Sequence, residues 1–123
     1  MEIAQGDIYW VRADDLDIEG HEQQKNRPYV IASRTRINKQ GKNVVGVPLS
    51  TVTEKACAHR VLIPVHHMVQ EPDAKRNLQT SVALTDHIRV LDSSRLEQPR
   101  MGKLTDTAIR GLEVGLAFLF DIR

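Results

Sequence analysis

The run Asp7-Ile8-Tyr9-Trp10-Val11-Arg12 sets the reading of the whole chain. β-Branched and aromatic side chains dominate it, and these favour extended backbone because they pack well on a pleated surface. Five more runs of the same kind follow: Tyr29 to Ser33 (YVIAS), Asn43 to Leu49 (NVVGVPL), Arg60 to Val65 (RVLIPV), Ser81 to Leu84 (SVAL) and His87 to Leu91 (HIRVL). Each is bounded by Gly, Pro, Asn, Asp or charged residues, which end strands. Short strands at this spacing predict a compact antiparallel barrel or sandwich. Pro48 has no N–H to give a ladder, so its end of the third run is expected at an edge or a bend.

The period changes near the end. Ile109, Leu112, Leu116, Leu119 and Phe120 recur at three- and four-residue spacing, the signature of an amphipathic helix. The helix is expected over Asp106 to Phe120, with Thr105 as N-cap and Asp106 in the first turn, where a negative charge suits the helix dipole. Gly111 and Gly115 each cost about 1 kcal/mol against alanine in a helix. They are either sites of close packing or tolerated glycines. Asp92 to Leu96 reads as one helical turn. The class is mixed β+α, and residues 1–123 form one domain, a usual domain length.

Two stretches read as loops. Ala13 to Asn26 carries Asp14, Asp15, Asp17, Glu19 and Glu22 against Lys25 alone. Arg34 to Lys42 holds Arg34, Arg36, Lys39 and Lys42 and no acid. A formal net charge of +1 excludes a basic field over the whole molecule, so any nucleic-acid footprint must be a local patch. The single cysteine, Cys57, allows no intrachain disulfide and suits a reducing compartment. Met1 leads into a polar stretch, and no run approaches the roughly 20 apolar residues of a membrane span. No targeting segment and no membrane contact are therefore expected, and the cytoplasm is the expected location.

Taken alone, the residues offer few chemical candidates. His66-His67 invites a metal reading, but neighbours on a strand point to opposite faces and chelate poorly. No Cys or acid stands at zinc-like spacing from them, so no metal site and no cofactor are expected. Cys57 reads as a structural or tolerated thiol. Phosphate-cradling glycine loops and a nucleophile elbow are absent from the sequence. The basic run from Arg34 to Lys42 is either a solvated loop, the commoner case, or a set of phosphate contacts.

Several blocks resemble the MazF/PemK/Kid family of toxins. Gly6-Asp7-Ile8-Tyr9-Trp10-Val11 is similar to its opening G-[DE]-I-[WY]-x-V. Gly20-His21-Glu22-Gln23-Gln24 followed by Arg27-Pro28 resembles its G-x-E-Q segment and R-P pair, in the form of the Kid/PemK branch. Val47-Pro48-Leu49-Ser50 resembles its V-P-[LV]-T-S edge. Asp86-His87-Ile88-Arg89-Val90-Leu91-Asp92 with Arg95-Leu96, and then Gly102-Lys103-Leu104, match its last two blocks. The blocks stand in family order along nearly the whole chain.

The resemblance implies a small SH3-like (CcdB/MazF-type) antiparallel β-barrel with a C-terminal α-helix. It implies a homodimer that pairs through the last helix and cuts single-stranded RNA at short motifs without a metal. It also implies a cognate antitoxin whose disordered tail covers the RNA groove. By position, Arg27 would stabilise charge at the phosphorus. An arginine gives up its proton only with difficulty, so this role suits it better than general acid. Ser50 stands where the family has a threonine, with Thr51 as the rival hydroxyl. Asp86 matches an acid that acts as base or RNA contact, or else caps a turn. His21 matches the histidine of the same branch, or is a passive loop residue. Arg34, Arg36, Lys39, Thr51 and Arg89 would contact RNA. One departure matters: the Kid branch has an arginine two positions before this acid, where the chain has Leu84. That permits a catalytically weakened member; a non-enzymatic poison of the CcdB kind, which binds DNA gyrase, is a separate reading, against which the R-P, V-P-L-S and D-H-I-R blocks favour the ribonuclease.

Overall fold

The structure, a computed structural model, describes residues 2–12 and 26–122. β1 (Asp7–Val11) is the strand that the opening run predicts. Its alternation explains the unbroken apolar pattern. Ile8 joins one core and Trp10 packs against it, while Tyr9 and Val11 join a second core on the opposite face. Both faces of β1 are covered, so from Ile8 to Val11 neither set of alternate positions is left to polar side chains.

β2 (Arg27–Ile31), β3 (Asn43–Ser50), β4 (Val61–Ile63), β6 (Ser81–Ala83) and β7 (Arg89–Asp92) correspond to the other five runs, with ends moved by at most two residues. β5 (Met68–Gln70) and β8 (Gly102–Leu104) are additions. Three residues are too few to display a period of two, and these strands pair chiefly to close the sheet, Met68 opposite Leu104 and Gln70 opposite Gly102. Gly102 is needed there, since a Cβ would stand 2.1 Å from the Val69 carbonyl oxygen. The strand order is β4-β6-β3-β2-β1-β8-β5 with β7 beside β3, and the described pairings are all antiparallel. The result is a nearly closed barrel.

Pro48 marks a bend and not an edge. On one side it pairs with Tyr29 of β2. On the other, β3 leaves β7 after Gly46 and takes up β6 from Leu49 onward. The missing N–H falls in that gap, and the Pro48 carbonyl accepts from Leu84 N at 2.9 Å.

The basic run is not a simple loop. It contains a helical turn, α1 (Thr35–Asn38). Asn38 is buried and holds the turn by donating from Nδ2 to the Ile3 and Ser33 carbonyls at 3.0 and 3.1 Å. The turn at Ser93–Arg95 is as expected, with Asp92 accepting from Ser94 N at 2.9 Å.

α2 (Asp106–Phe120) has the expected span and N-cap, Thr105 accepting from Ala108 N. Its buried stripe, led by Ala108 and Leu112, closes the first core. The two glycines differ. A Cβ on Gly115 would lie 2.4 Å from Val61 Cγ2 and 3.0 Å from the His59 carbonyl, whereas one on Gly111 would meet only Val61 Cγ1 at 3.8 Å. Close packing therefore explains Gly115 alone. Leu112 is buried and Leu116 and Leu119 are partly so; the exposed apolar side chains of this end are Val114, Phe118, Phe120 and Ile122. Among the described residues no helix is long and apolar enough to cross a membrane.

Candidate functional site

Arg27 opens β2 and Ser50 ends β3. Because Tyr29 pairs with Pro48 in an antiparallel register, the residues two before and two after them reach the same end of the barrel. There Arg27, Ser50 and Thr51 line one cavity of about 280 Å³ with Trp10, Asn26 and Lys55. Ser50 is buried, and its Oγ accepts from Val52 N at 3.2 Å, which leaves the O–H to donate outward. Thr51 is exposed on the rim.

Nε and Nη1 of Arg27 and Nε1 of Trp10 are buried and have no hydrogen-bond partner among the described residues. Unpaired buried donors are rare because each loses its water for nothing. Three of them around one cavity call for a ligand rich in acceptors, and a guanidinium pairs best with an oxyanion.

Asp86 belongs to a different constellation. It lies in the turn Thr85–His87 and is gripped by Arg60, which donates from Nε to Oδ1 at 2.8 Å and from Nη2 to Oδ2 at 2.7 Å. His59 and His87 present Nε2 at 3.9 and 3.8 Å from the same carboxylate. The Arg60 hydrogen bonds outweigh partial burial and pull the Asp86 carboxyl down to about 2. Cys57 is exposed, and its Sγ lies 3.6 Å from His59 Nδ1, so it is a surface thiol with a histidine neighbour. Asp86 and Arg89 line an open cavity of about 420 Å³ with His87, Ile88 and Val90. Tyr29 stands between the two constellations. Burial raises its phenol pKa, against the opposing charges of Arg89 and Arg27.

Of the residues that the resemblance singled out, some come together in the structure and others do not. The structure brings Arg27, Ser50 and Thr51 together in one cavity, and Asp86 and Arg89 together in another. Arg34, Arg36 and Lys39 line neither; Lys39 Nζ is 3.6 Å from a Glu2 carboxylate oxygen beside α1. His21 and the acidic segment 13–25 lie outside the described residues. Arg60 and His59 went unnoticed because nothing local links them to Asp86, 26 and 27 positions on. His66 and His67 sit in a turn, Val65–His67, and not on a strand, with ring centroids 4.5 Å apart. Among the described residues no three His, Cys, Asp or Glu side chains are grouped to hold a metal ion.

A family model described as PemK-like, MazF-like toxin of type II toxin–antitoxin system matches residues 4–120. The chain belongs to that family. The blocks from Gly6 to Leu104 that resembled MazF, PemK and Kid all fall within the match. Among solved structures, MazF from Deinococcus radiodurans superposes with a TM-score of 0.72 at 22% identity, over 98% of each chain. The Mycobacterium tuberculosis toxin MazF-mt6 superposes at 0.70 with 20% identity, over 95% of this chain and 98% of that one. A mycobacterial endoribonuclease in complex with its cognate antitoxin also gives 0.70 and 20%, over 98% and 97%. At these identities the likeness is one of fold, and it agrees with a MazF-type barrel closed by a C-terminal helix. No curated protein sequence matches the toxin chain.

Proposed function

We propose that this toxin is a sequence-specific, metal-independent endoribonuclease that cuts single-stranded RNA and so blocks translation in the cytoplasm. The observation that carries the reading is the Arg27 guanidinium, buried at Nε and Nη1 without an acceptor among the described residues, beside the Ser50 hydroxyl in an open cavity. A scissile phosphate supplies the acceptors that both groups lack. Membership of the toxin family and the endoribonuclease among the fold neighbours point the same way.

RNA carries its own nucleophile, so the reaction needs no metal to make one. The ribose 2′-oxygen bonds to the adjacent phosphorus, its proton passes to a base, and the bond from phosphorus to the 5′-oxygen breaks as that oxygen takes a proton. The products are a 2′,3′-cyclic phosphate and a 5′-hydroxyl. Arg27 neutralises the additional charge on the phosphorane, and Ser50 donates to one of its oxygens. Thr51 holds the strand at the rim. Asp86, held ionised and weakly basic by Arg60, serves as an RNA-positioning group with Arg89. Removal of the 2′-proton then falls to His21. Arg34, Arg36 and Lys39 hold flanking phosphates farther out.

The working form in this reading is a homodimer paired through the exposed apolar side chains of α2. Its inhibitor is a cognate antitoxin whose disordered acidic tail orders over the RNA groove. The test is incubation of mixed RNAs with the protein in excess EDTA, followed by analysis of the new ends. Cleavage leaving 2′,3′-cyclic phosphates is expected. Cleavage that stops in EDTA, or leaves only 3′-hydroxyls, would mean a metal nuclease. No cleavage at any concentration would favour a weakened member or a protein-binding poison.

A further inference from the structure

The Arg27 cavity adjoins a second one. The larger space, about 400 Å³, shares Trp10, Pro28, Leu49 and Thr51 with it. We propose that this second cavity is a base-reading slot for one unstacked nucleotide next to the cut, and that Asn77 and Gln79 select the base. The proposal rests on the ribonuclease reading above.

The walls have the composition that a nucleobase needs. Met68, Leu78 and Met101 give apolar surface for its faces, and Asn77, Gln79 and Ser81 give polar groups for its edges. Sequence-specific RNA recognition works on bases splayed out of a single strand, stacked on flat side chains and hydrogen-bonded at their edges. Trp10 and the Arg76 guanidinium stacked on it supply the flat surface. Arg76 lies over the Trp10 ring, with the guanidinium carbon 4.1 Å from the centroid, and Glu97 pairs with Arg76 and fixes it there. Trp10 Nε1 is a buried donor without an acceptor among the described residues, as expected of a wall that meets a carbonyl or ribose oxygen.

The two amides are free and their backbone is held. Neither the Asn77 nor the Gln79 side chain has a hydrogen-bond partner among the described residues, and both are exposed on either side of buried Leu78. Gln70 anchors this segment. Its Oε1 accepts from Leu78 N at 2.8 Å, and its Nε2 donates to the Glu71, Arg76 and Met101 carbonyls at 3.1 to 3.3 Å. An amide offers a donor and an acceptor side by side, which matches the edge of a base and discriminates among bases. An apolar side chain from a protein tail would leave both amides unused, so the chemistry favours a base as occupant.

Trp10 is the only tryptophan of the chain, so its fluorescence reports the slot directly. The probes are short single-base oligonucleotides of A, C, G or U with 2′-O-methyl riboses, which cannot be cut by 2′-attack. One base is expected to quench Trp10 at about tenfold lower concentration than the least favoured. Asn77→Ala and Gln79→Ala should narrow that preference to about threefold or less while the oligonucleotides still bind. In cleavage of random RNA, the same variants should relax one position of the motif, losing rate at the preferred base so that sites with other bases there become comparable substrates.

Base-independent quenching, or an unchanged motif in both variants, would overturn the slot and leave the ribonuclease reading standing. Quenching by a short acidic peptide with a central leucine, but by no oligonucleotide, would assign the cavity to a protein tail and overturn the slot as well. If the wild type cut no RNA, the ribonuclease reading would fall. Base-selective quenching would then still support the slot, because that readout needs no catalysis.

Discussion

Arg60 holds Asp86 in a two-pronged grip, Nε to Oδ1 at 2.8 Å and Nη2 to Oδ2 at 2.7 Å. The grip alters the meaning of Leu84. By the resemblance, the Kid branch has an arginine at that position, so a second catalytic cation is missing there. Leu84 is buried in the structure, and a guanidinium reaches the same carboxylate from just before β4 instead. Asp86 is thus paired with a cation, although position 84 itself holds none.

The grip makes a pH prediction. The Asp86 carboxyl is lowered from 3.8 to about 2, chiefly by the Arg60 hydrogen bonds. A folded pKa below the unfolded one stabilises the fold above the unfolded value, and that stability is lost as pH falls through the folded value. The stabilising effect of ionised Asp86 should therefore fade between about pH 4 and pH 2. Carboxyl NMR should show Asp86 titrating near the bottom of that window, and Arg60→Ala should move it upward. Titration above pH 4 in the wild type would contradict the grip. Cleavage rates between pH 5 and 9 should show no limb due to Asp86.

Arg27→Ala is expected to lower cleavage by about a hundredfold or more, the usual loss when a donor to transition-state charge is removed. The fold should remain, because Arg27 gives up no hydrogen bond at Nε or Nη1 among the described residues. Arg27→Lys keeps the charge but loses the planar fork, and should recover only a small part of the rate. Single-turnover rates with circular dichroism on the same samples decide the matter. A folded Arg27→Ala protein that cuts at the wild-type rate would remove Arg27 from the mechanism.

Much of this fold was legible because its signals are local. β1, β3 and α2 announce themselves by side-chain type and period over five or more residues. β5 and β8 do not, since three residues carry no period and their pairing joins positions more than thirty apart. α1 was masked by its charges, while the residue that fixes it, Asn38, gives no sign of burial in the sequence. The site divides in the same way. The family resemblance singled out Arg27 and Ser50, which the β2–β3 register brings to one end of the barrel. Arg60, Trp10 and Gln70 act through tertiary contacts with distant segments, and no local pattern marks them.

The two helix glycines should respond in opposite ways to alanine. Gly111→Ala meets nothing nearer than 3.8 Å, so the gain in helix propensity should stabilise the protein by about 0.5–1 kcal/mol. Gly115→Ala drives a methyl into Val61 at 2.4 Å and toward the His59 carbonyl at 3.0 Å. Overpacking of this kind costs about 1–3 kcal/mol and exceeds the propensity gain. Urea denaturation of both variants provides the comparison. A stabilised Gly115→Ala would show that β4 yields readily.

Arg100 ties β1 to the segment after β5. It donates from Nη1 to Asp7 Oδ1 at 2.7 Å and from Nη2 to Glu71 Oε1 at 2.9 Å. Asp7 is almost completely buried, so Arg100→Ala would leave a carboxylate in the interior with, among the described residues, only the Ala4 N–H to Oδ2. Losing one partner of such a pair costs about 3 kcal/mol, toward the lower end of the usual range because Arg100 is partly exposed. Arg100→Met should cost nearly as much, since the charge and not the stem is at stake. A loss below about 1 kcal/mol in urea melts would mean that water replaces the guanidinium.

The final prediction concerns the second copy of the chain. Val114 and Phe118 are one helical step of four apart, so they share a face, and Ile122 follows just beyond the left-handed cap at Asp121. All three are more than 60% exposed, and Phe120 adds to the apolar surface of this end. A stripe of this size at a helix end signals a partner surface. The contact should be apolar, so dimer formation should survive 1 M salt, whereas RNA binding through cations should weaken steeply there. Phe118→Glu should give a folded monomer at micromolar concentration by sedimentation, and Glu113→Gln, on the same helix, should remain dimeric. A wild type that sediments as a monomer at tens of micromolar, or a Phe118→Glu variant that stays dimeric, would rule this face out as the interface.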